Sequence, residues 1–361
     1  MVNETRIWNV QQDEDEGADN RVEVGLREAG RLLRAGEVVA FPTETVYGLG
    51  ADARSSDAVE KVYAAKGRPA DNPLIVHIAE LVQLDEIAEP PDDVSARLMA
   101  RYWPGPLTIV LPAKLSALSP LVTAGLATVA VRMPDHPIAR RLIAAAGCPL
   151  AGPSANRSGR PSPTRAEHVV HDLAGAIAGV VDGGPTGVGL ESTVVEVNDD
   201  CIYVLRPGGI SAEQLHELHP RVETVAPDAA TDPTAAPRSP GMKYAHYAPR
   251  GALALVAGPP ERTASYIVEA AAKEAARGRR VGVLTYAENA ERYAAFPGTV
   301  QVCGSLADPA STARGLYDSL RAFDEHAAEL IYAEAYPEHG IGAAIMNRLR
   351  KAAAGRIHTI G

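Results

Sequence analysis

Residues 221–240 read RVETVAPDAATDPTAAPRSP. Pro, Ala, Thr and Asp dominate, and no apolar period of a helix or strand survives there. Such a stretch cannot add an element to a packed core, so it reads as a linker. It separates two differently patterned parts. After it, strand-like runs at about 252–257, 281–285, 299–303 and 330–333 alternate with helical patterns at about 261–277, 287–294, 309–323 and 341–353. That alternation predicts a small parallel, doubly wound sheet.

The part before the linker is less regular. A helix is expected over about Val22–Arg34 and another over Asp57–Lys66, stopped by Gly67 and Pro69. Further helices fit Ile138–Ala146 and Ala166–Leu173. Strands fit Val38–Phe41, Leu74–Ile78, Leu107–Leu111, Thr128–Met133, Thr193–Val197 and Ile202–Leu205. Residues 11–20 read as a solvated loop. This mixture predicts an irregular α/β sheet. The expected division is residues 1–220, a linker over 221–249, and 250–361; a length of 361 residues suits two domains.

Charge and composition narrow the function. The chain carries 35 Lys and Arg against 45 Asp and Glu, a net −10. A broad basic footprint for nucleic acid is therefore absent, and 5% aromatic residues leave little for base stacking. An anionic ligand must be held by a few local cations. No run of 18 apolar residues appears, which argues against a membrane span. The acidic N-terminal segment does not resemble a signal peptide. Cys148, Cys201 and Cys303 are odd in number and far apart, which argues for a reducing cytoplasm and against a disulfide scaffold or Cys-rich zinc site.

Walker, HExxH and GxSxG motifs are absent. Gly48-Leu-Gly50-Ala-Asp-Ala53 matches a loose dinucleotide fingerprint, but such matches are usually turns. Five polar clusters at the ends of elements are more informative. Phe41-Pro-Thr-Glu-Thr-Val-Tyr-Gly follows a buried strand. Lys66-Gly-Arg68-Pro-Ala-Asp-Asn72-Pro joins two cations to a proline-stiffened loop, which suits a phosphate clamp; the cations could equally answer a helix dipole. Alternation puts Arg132 on the face of Ala130, opposite Val129, Val131 and Met133, where it is either solvated or captures a carboxylate. His77 shares a face with Ile75, and a lone strand histidine is most often structural. Gly152-Pro-Ser154-Ala-Asn156-Arg-Ser158 offers small donors able to form an anion nest. Ser192-Thr193 and Arg206-Pro-Gly-Gly209 add two more polar strand ends. The pattern suggests one polar concavity.

Taken in order, PTETVYGLG, KGRPADNPLIVHI, RYWPGPLTIVL, VAVRMP, PSANRSGRPSPT, GLESTVV, LRPGGIS and SPGMKYAHYAP resemble the threonylcarbamoyl-AMP synthase family in its two-domain form. The resemblance runs from about Thr5 to the C-terminus. It implies an N-terminal YrdC-like twisted mixed α/β domain with an open cavity, a linker, and a smaller C-terminal Rossmann-like parallel-sheet domain. It implies a nucleotidyltransferase, L-threonylcarbamoyladenylate synthase, that joins L-threonine, bicarbonate and ATP and releases pyrophosphate. A separate transferase complex would then modify tRNA, so tRNA is not expected as a tight ligand.

The resemblance also implies roles for residues. Thr45, His77, Arg132, Gly152 and Ser192 would hold threonine. Lys66, Arg68, Asn72, Thr128, Ser154, Asn156, Ser162, Arg206 and His246 would hold the nucleotide. Lys66 and Arg68, with Mg²⁺ brought by ATP, would offset the repulsion of two anionic reactants. The segment from Ser239 to Pro249 would fold over the cavity. Ala245 departs from the basic residue often found there, and the acidic stretch near 13–19 has no counterpart role. Two other readings are an RNA-binding, translation-associated module and a carbamoyltransferase-type enzyme. The acidic balance weakens the first; the lack of acylphosphatase and zinc-finger stretches weakens the second.

Overall fold

The computed structural model describes residues 4–11, 18–225, 237–239 and 246–361. The acidic residues 13–16, most of the linker, and the Gly241–Ala245 part of the expected lid lie outside these. The chain divides into two compact units. The first comprises Met1–Ser158, Pro163–Gly187 and Glu191–Lys243; the second comprises Gly159–Ser162, Val188–Leu190 and Tyr244–Gly361.

The first unit is built on eleven strands: β1 (Arg6–Asn9), β2 (Val39–Phe41), β3 (Gly48–Asp52), β4 (Ile75–His77), β5 (Leu107–Pro112), β6 (Thr128–Arg132), β7 (Leu150–Ala151), β8 (Gly179–Asp182), β9 (Thr193–Asn198), β10 (Cys201–Arg206) and β11 (Val222–Thr224). They form one mixed sheet in the order β1-β8-β2-β3-β7-β4-β6-β5-β9-β10-β11. Side-chain alternation gives this sheet two apolar faces. Val76, Val131, Ile109, Val195 and Val204 join the main core. Ile75, Ala130, Val110, Val194 and Leu205 form a smaller cluster of their own.

The helix Ser56–Lys66 shows why its ends fall where they do. Ser55 accepts from the Ala58 N–H at the start, and Gly67 takes the left-handed conformation at the stop, with φ of 60°. The first helix starts earlier than its apolar pattern, at Ala18 rather than Val22. It approaches the helix Pro137–Ala146 so closely that a Cβ on Gly30 would stand 2.8 Å from the Ala145 carbonyl carbon.

The Gly48–Ala53 segment is neither a turn nor a dinucleotide loop. Gly48–Asp52 is strand β3, antiparallel to β2. The Phe41 ring lies over it, 3.0 Å from the Cβ positions of both Gly48 and Gly50. These glycines give an aromatic side chain room rather than a phosphate. The linker also begins later than its composition suggests, because Val222–Thr224 adds to the sheet beside β10.

The second unit carries five strands: β12 (Ala252–Ala257), β13 (Val281–Thr285), β14 (Thr299–Val302), β15 (Leu330–Glu334) and β16 (Ile357–Thr359). All pairings are parallel, in the order β14-β13-β15-β12-β16. The helices are Pro260–Ala275, Pro309–Glu325 and Gly342–Ala353, with a 3-10 helix at Ala287–Tyr293. The expected rhythm is found, with β16 added at an exposed edge. Within this unit Arg160 pairs with Asp324 at 2.7 Å, and Arg321 donates to the Pro161 carbonyl at 2.6 Å.

Candidate active site

The site in the first unit grows from the β4–β6 register. These strands run parallel, and His77 stands opposite Arg132 at their carboxyl ends. Both side chains are buried and rise beside the Ile75–Ala130 patch. Ala130 keeps that patch low.

Arg132 has three neighbours of opposite polarity. Its NH1 donates to Thr45 Oγ1 at 2.8 Å, its Nε donates to the Gly105 carbonyl at 3.2 Å, and its NH2 lies 2.6 Å from Glu44 Oε2. Thr43 shapes the loop that delivers Thr45. Its hydroxyl donates to the Val46 carbonyl at 2.6 Å and accepts from the backbone N–H groups of Thr45 and Val46. Sequence reasoning singled out Thr45 and Arg132 but missed Glu44, whose carboxylate meets Arg132 only through tertiary folding.

His77 is held neutral. Burial, then the neighbouring Arg132 charge, pushes its pKa down to about 3. Its Nδ1 has no hydrogen-bond partner among the described residues. Gly152 lies against this nitrogen: a Cβ there would be 2.8 Å from Nδ1. His77 shares its sheet face with Ile75 and, across the register, with Arg132.

Ser192 and Arg206 form a second group at the Arg132 end. Arg206 NH2 donates to the Ser192 carbonyl at 2.9 Å and to its Oγ at 3.2 Å; Thr108 Oγ1 shares a hydrogen bond with the same Oγ at 2.7 Å. A bulge sets this up. The β9–β10 register shifts between Val204 and Arg206, so Leu205 is the extra residue and Arg206 pairs with Val194. Val194 faces the small patch, and Arg206 shares its face.

The third group stands toward the start of β4 and β6. Lys66 is buried, and its Nζ donates to the carbonyls of Ser154 and Asn156, the latter at 2.6 Å. Burial, with the nearby Arg68, holds its ammonium well below the usual lysine value. The lysine braces the 154–156 loop through these two carbonyls. Arg68 reaches the carbonyls of Asn72 and Pro73, at 3.4 and 3.1 Å. Asn72 is fully buried, and neither polar atom of its side chain has a partner among the described residues. Thr128, half-buried, is on the Arg132 face but four residues earlier in β6, roughly 13 Å away.

Twelve of the expected site residues thus belong to the first unit. Ser162 and His246 belong to the second. There Ser162 is buried, and the His246 ring lies 5.5 Å from that of Tyr247, which in turn stacks near Tyr317 and beneath Arg348. Among the described residues no group of three or more His, Cys, Asp or Glu could hold a metal ion.

Comparison with known proteins assigns the chain to a family. A model described as telomere recombination matches residues 31–208, and one described as threonylcarbamoyl-AMP synthase, C-terminal domain, matches 210–354. The threonylcarbamoyl-AMP synthase of Bacillus subtilis (strain 168) is 55% identical over 332 residues, covering 92% of this chain and 94% of that protein. This chain belongs to the threonylcarbamoyl-AMP synthase family. The Pyrococcus abyssi threonylcarbamoyl-AMP synthase is 43% identical, covering 92% and 95% of the two chains. A crystal structure titled P. abyssi Sua5 complexed with L-threonine superposes with a TM-score of 0.90 at 41% identity, covering 99% of this chain and all of that one. The mixed sheet and the parallel-sheet unit are therefore the fold of threonylcarbamoyl-AMP synthases.

Proposed function

We propose that this chain forms L-threonylcarbamoyl-AMP and pyrophosphate from L-threonine, bicarbonate and ATP. The observation carrying the reading is the 55% identity, across nearly the whole of both chains, to a protein named threonylcarbamoyl-AMP synthase. The threonine-bound P. abyssi structure supports threonine as a substrate.

The His77–Arg132 end suits threonine. The guanidinium, which pairs with the Glu44 carboxylate, offers charge-assisted hydrogen bonds suited to the carboxylate of threonine. Threonine would then displace or share Glu44. The neutral His77 offers a ring nitrogen beside Gly152 without adding charge. Thr45 and Ser192 supply hydroxyls.

The nucleotide suits the other end. Asn72, Thr128 and the braced loop with Ser154 and Asn156 would receive it, with Lys66 and Arg68 toward its phosphates. Arg206, next to Ser192, would meet the phosphorus nearest threonine. Ser162 and His246 are proposed as further contacts. The threonine nitrogen attacks the bicarbonate carbon, loses a proton and expels water, giving a carbamate. A carbamate oxygen attacks the α-phosphorus, and pyrophosphate leaves. Positioning and fixed cations carry most of the acceleration in such a transfer. Mg²⁺ is proposed to arrive on the ATP phosphates, where it would neutralise charge.

Delivery of the product to a tRNA-modifying transferase belongs to the same proposal. So does a cytoplasmic setting, which three buried free cysteines suit. No described helix is long and apolar enough to cross a membrane. The test is incubation with ATP, labelled threonine, bicarbonate and Mg²⁺. Threonine-dependent pyrophosphate and a labelled adenylate are expected; pyrophosphate release indifferent to threonine would overturn the proposal.

A further inference from the structure

The second unit contains a cavity of about 270 Å³ that the reaction above does not use. It lies at the carboxyl ends of β12, β13 and β15, with Val256, Tyr286 and Glu334 among its walls. The strand order explains its position. From β12 to β14 the chain steps toward one sheet edge, and from β14 to β16 it steps toward the other. Right-handed crossovers then send the connections after β12 and β13 to one face and the connection after β15 to the opposite face. Parallel sheets open a ligand crevice where such connections diverge.

The floor is a buried carboxylate. Glu334 is 3% exposed. Tyr293 OH donates to its Oε1 at 2.7 Å, while Thr285 Oγ1 and Asn289 Nδ2 donate to its Oε2 at 2.8 and 3.0 Å. A carboxylate has about four lone-pair positions, so one remains on Oε1. All three donors are neutral, and Glu334 forms no ion pair with a described residue. A buried carboxylate without a cation favours one from a ligand.

The wall supplies the complement. The helix Pro260–Ala275 starts at the cavity and has no side-chain cap. Its first N–H groups, those of Glu261 and Arg262, have no intrahelical acceptor and favour an anion. Thr263 lines the cavity beside them. It is 3% exposed, and its hydroxyl has no partner among the described residues. No lysine or arginine lines the cavity, and its volume falls below the roughly 300–1,000 Å³ of drug-sized sites, which disfavours a polyphosphate.

A cation at the floor and an anion at the wall, in so small a space, describe a zwitterion. We propose that the second unit binds a free α-amino acid, its ammonium on Glu334 and its carboxylate on the start of the Pro260–Ala275 helix and Thr263. This site is separate from the threonine site of the first unit.

The test is isothermal titration of the full chain with each standard L-amino acid, comparing wild type with Glu334→Gln and Ala335→Phe. The first variant removes the charge. The second fills the cavity from a half-buried lining position and keeps the carboxylate. At least one amino acid is expected to bind wild type at this site. Its affinity should fall by about 30-fold or more in Glu334→Gln, and its binding should vanish in Ala335→Phe. The matching α-hydroxy acid, which lacks the ammonium, should not bind there. The proposal is overturned if no amino acid distinguishes wild type from both variants, or if the hydroxy acid binds equally. If Glu334→Gln does not fold, Ala335→Phe and the hydroxy acid decide.

Discussion

His77 Nδ1 stands 2.8 Å from the point where Gly152 would carry a side chain. The ring is boxed in on another side by Phe41, edge-on at 5.9 Å between centroids. Gly152→Ala therefore forces the imidazole to move. Overpacking of this kind costs about 1–3 kcal/mol. If it falls on substrate binding, the threonine requirement should rise about 5- to 150-fold, with ATP affinity nearly unchanged. Unaltered threonine affinity would show that the ring position does not matter.

The neutral His77 predicts a pH dependence of stability. Its pKa is about 3 folded and near 6.5 unfolded, so between these values the unfolded chain binds the extra proton. The contribution is therefore whole above about pH 6.5 and is lost as pH falls toward 3, at up to about 1.4 kcal/mol per unit. Denaturant midpoints measured from pH 7 to 4 should fall less steeply in His77→Gln than in wild type. Parallel curves would contradict the neutral, buried assignment.

Arg132→Ala should act twice. It removes a cation proposed for the threonine carboxylate, and it leaves Glu44 buried without its partner. Breaking a buried ion pair costs about 3–5 kcal/mol of stability. Loss of the substrate contact should weaken threonine binding by roughly 30-fold to a few thousand-fold. The Glu44→Ala/Arg132→Ala double variant should regain much of the melting temperature and none of the threonine affinity. Recovery of both would show that Arg132 serves the fold alone.

Lys66 and Arg68 should separate. Lys66→Ala strips donors from two carbonyls and should cost about 1–3 kcal/mol of stability as well as nucleotide affinity. Arg68→Ala, at a half-buried position, should reduce adenylate formation with a much smaller change in melting temperature. Equal thermal shifts in the two variants would refute this division.

What could be read in advance follows from the range of each interaction. β4 and β6 alternate cleanly, so the face shared by Arg132 and Ala130 was visible in the residues themselves. Strands β12 to β15 of the second unit were visible because each is a compact run set between helical patterns. Strand β3 was hidden because Gly48 and Gly50 look like a turn until Phe41 is laid over them. Two-residue β7 and exposed β1 and β16 carry too little apolar pattern to register. The Glu44–Arg132 pair was invisible because 88 residues separate its members. Lys66 looked like an open clamp, since nothing local tells that its charge turns inward to the 154–156 carbonyls.

The extra residue at Leu205 makes the last part of the hairpin depend on odd and even counting. Losing or gaining one residue between 201 and 205 would swing Arg206 to the opposite side of the sheet, away from Ser192. Losing or gaining two would not. Across relatives of this chain, length differences in that hairpin should therefore come in twos, and an odd one should travel with a new bulge.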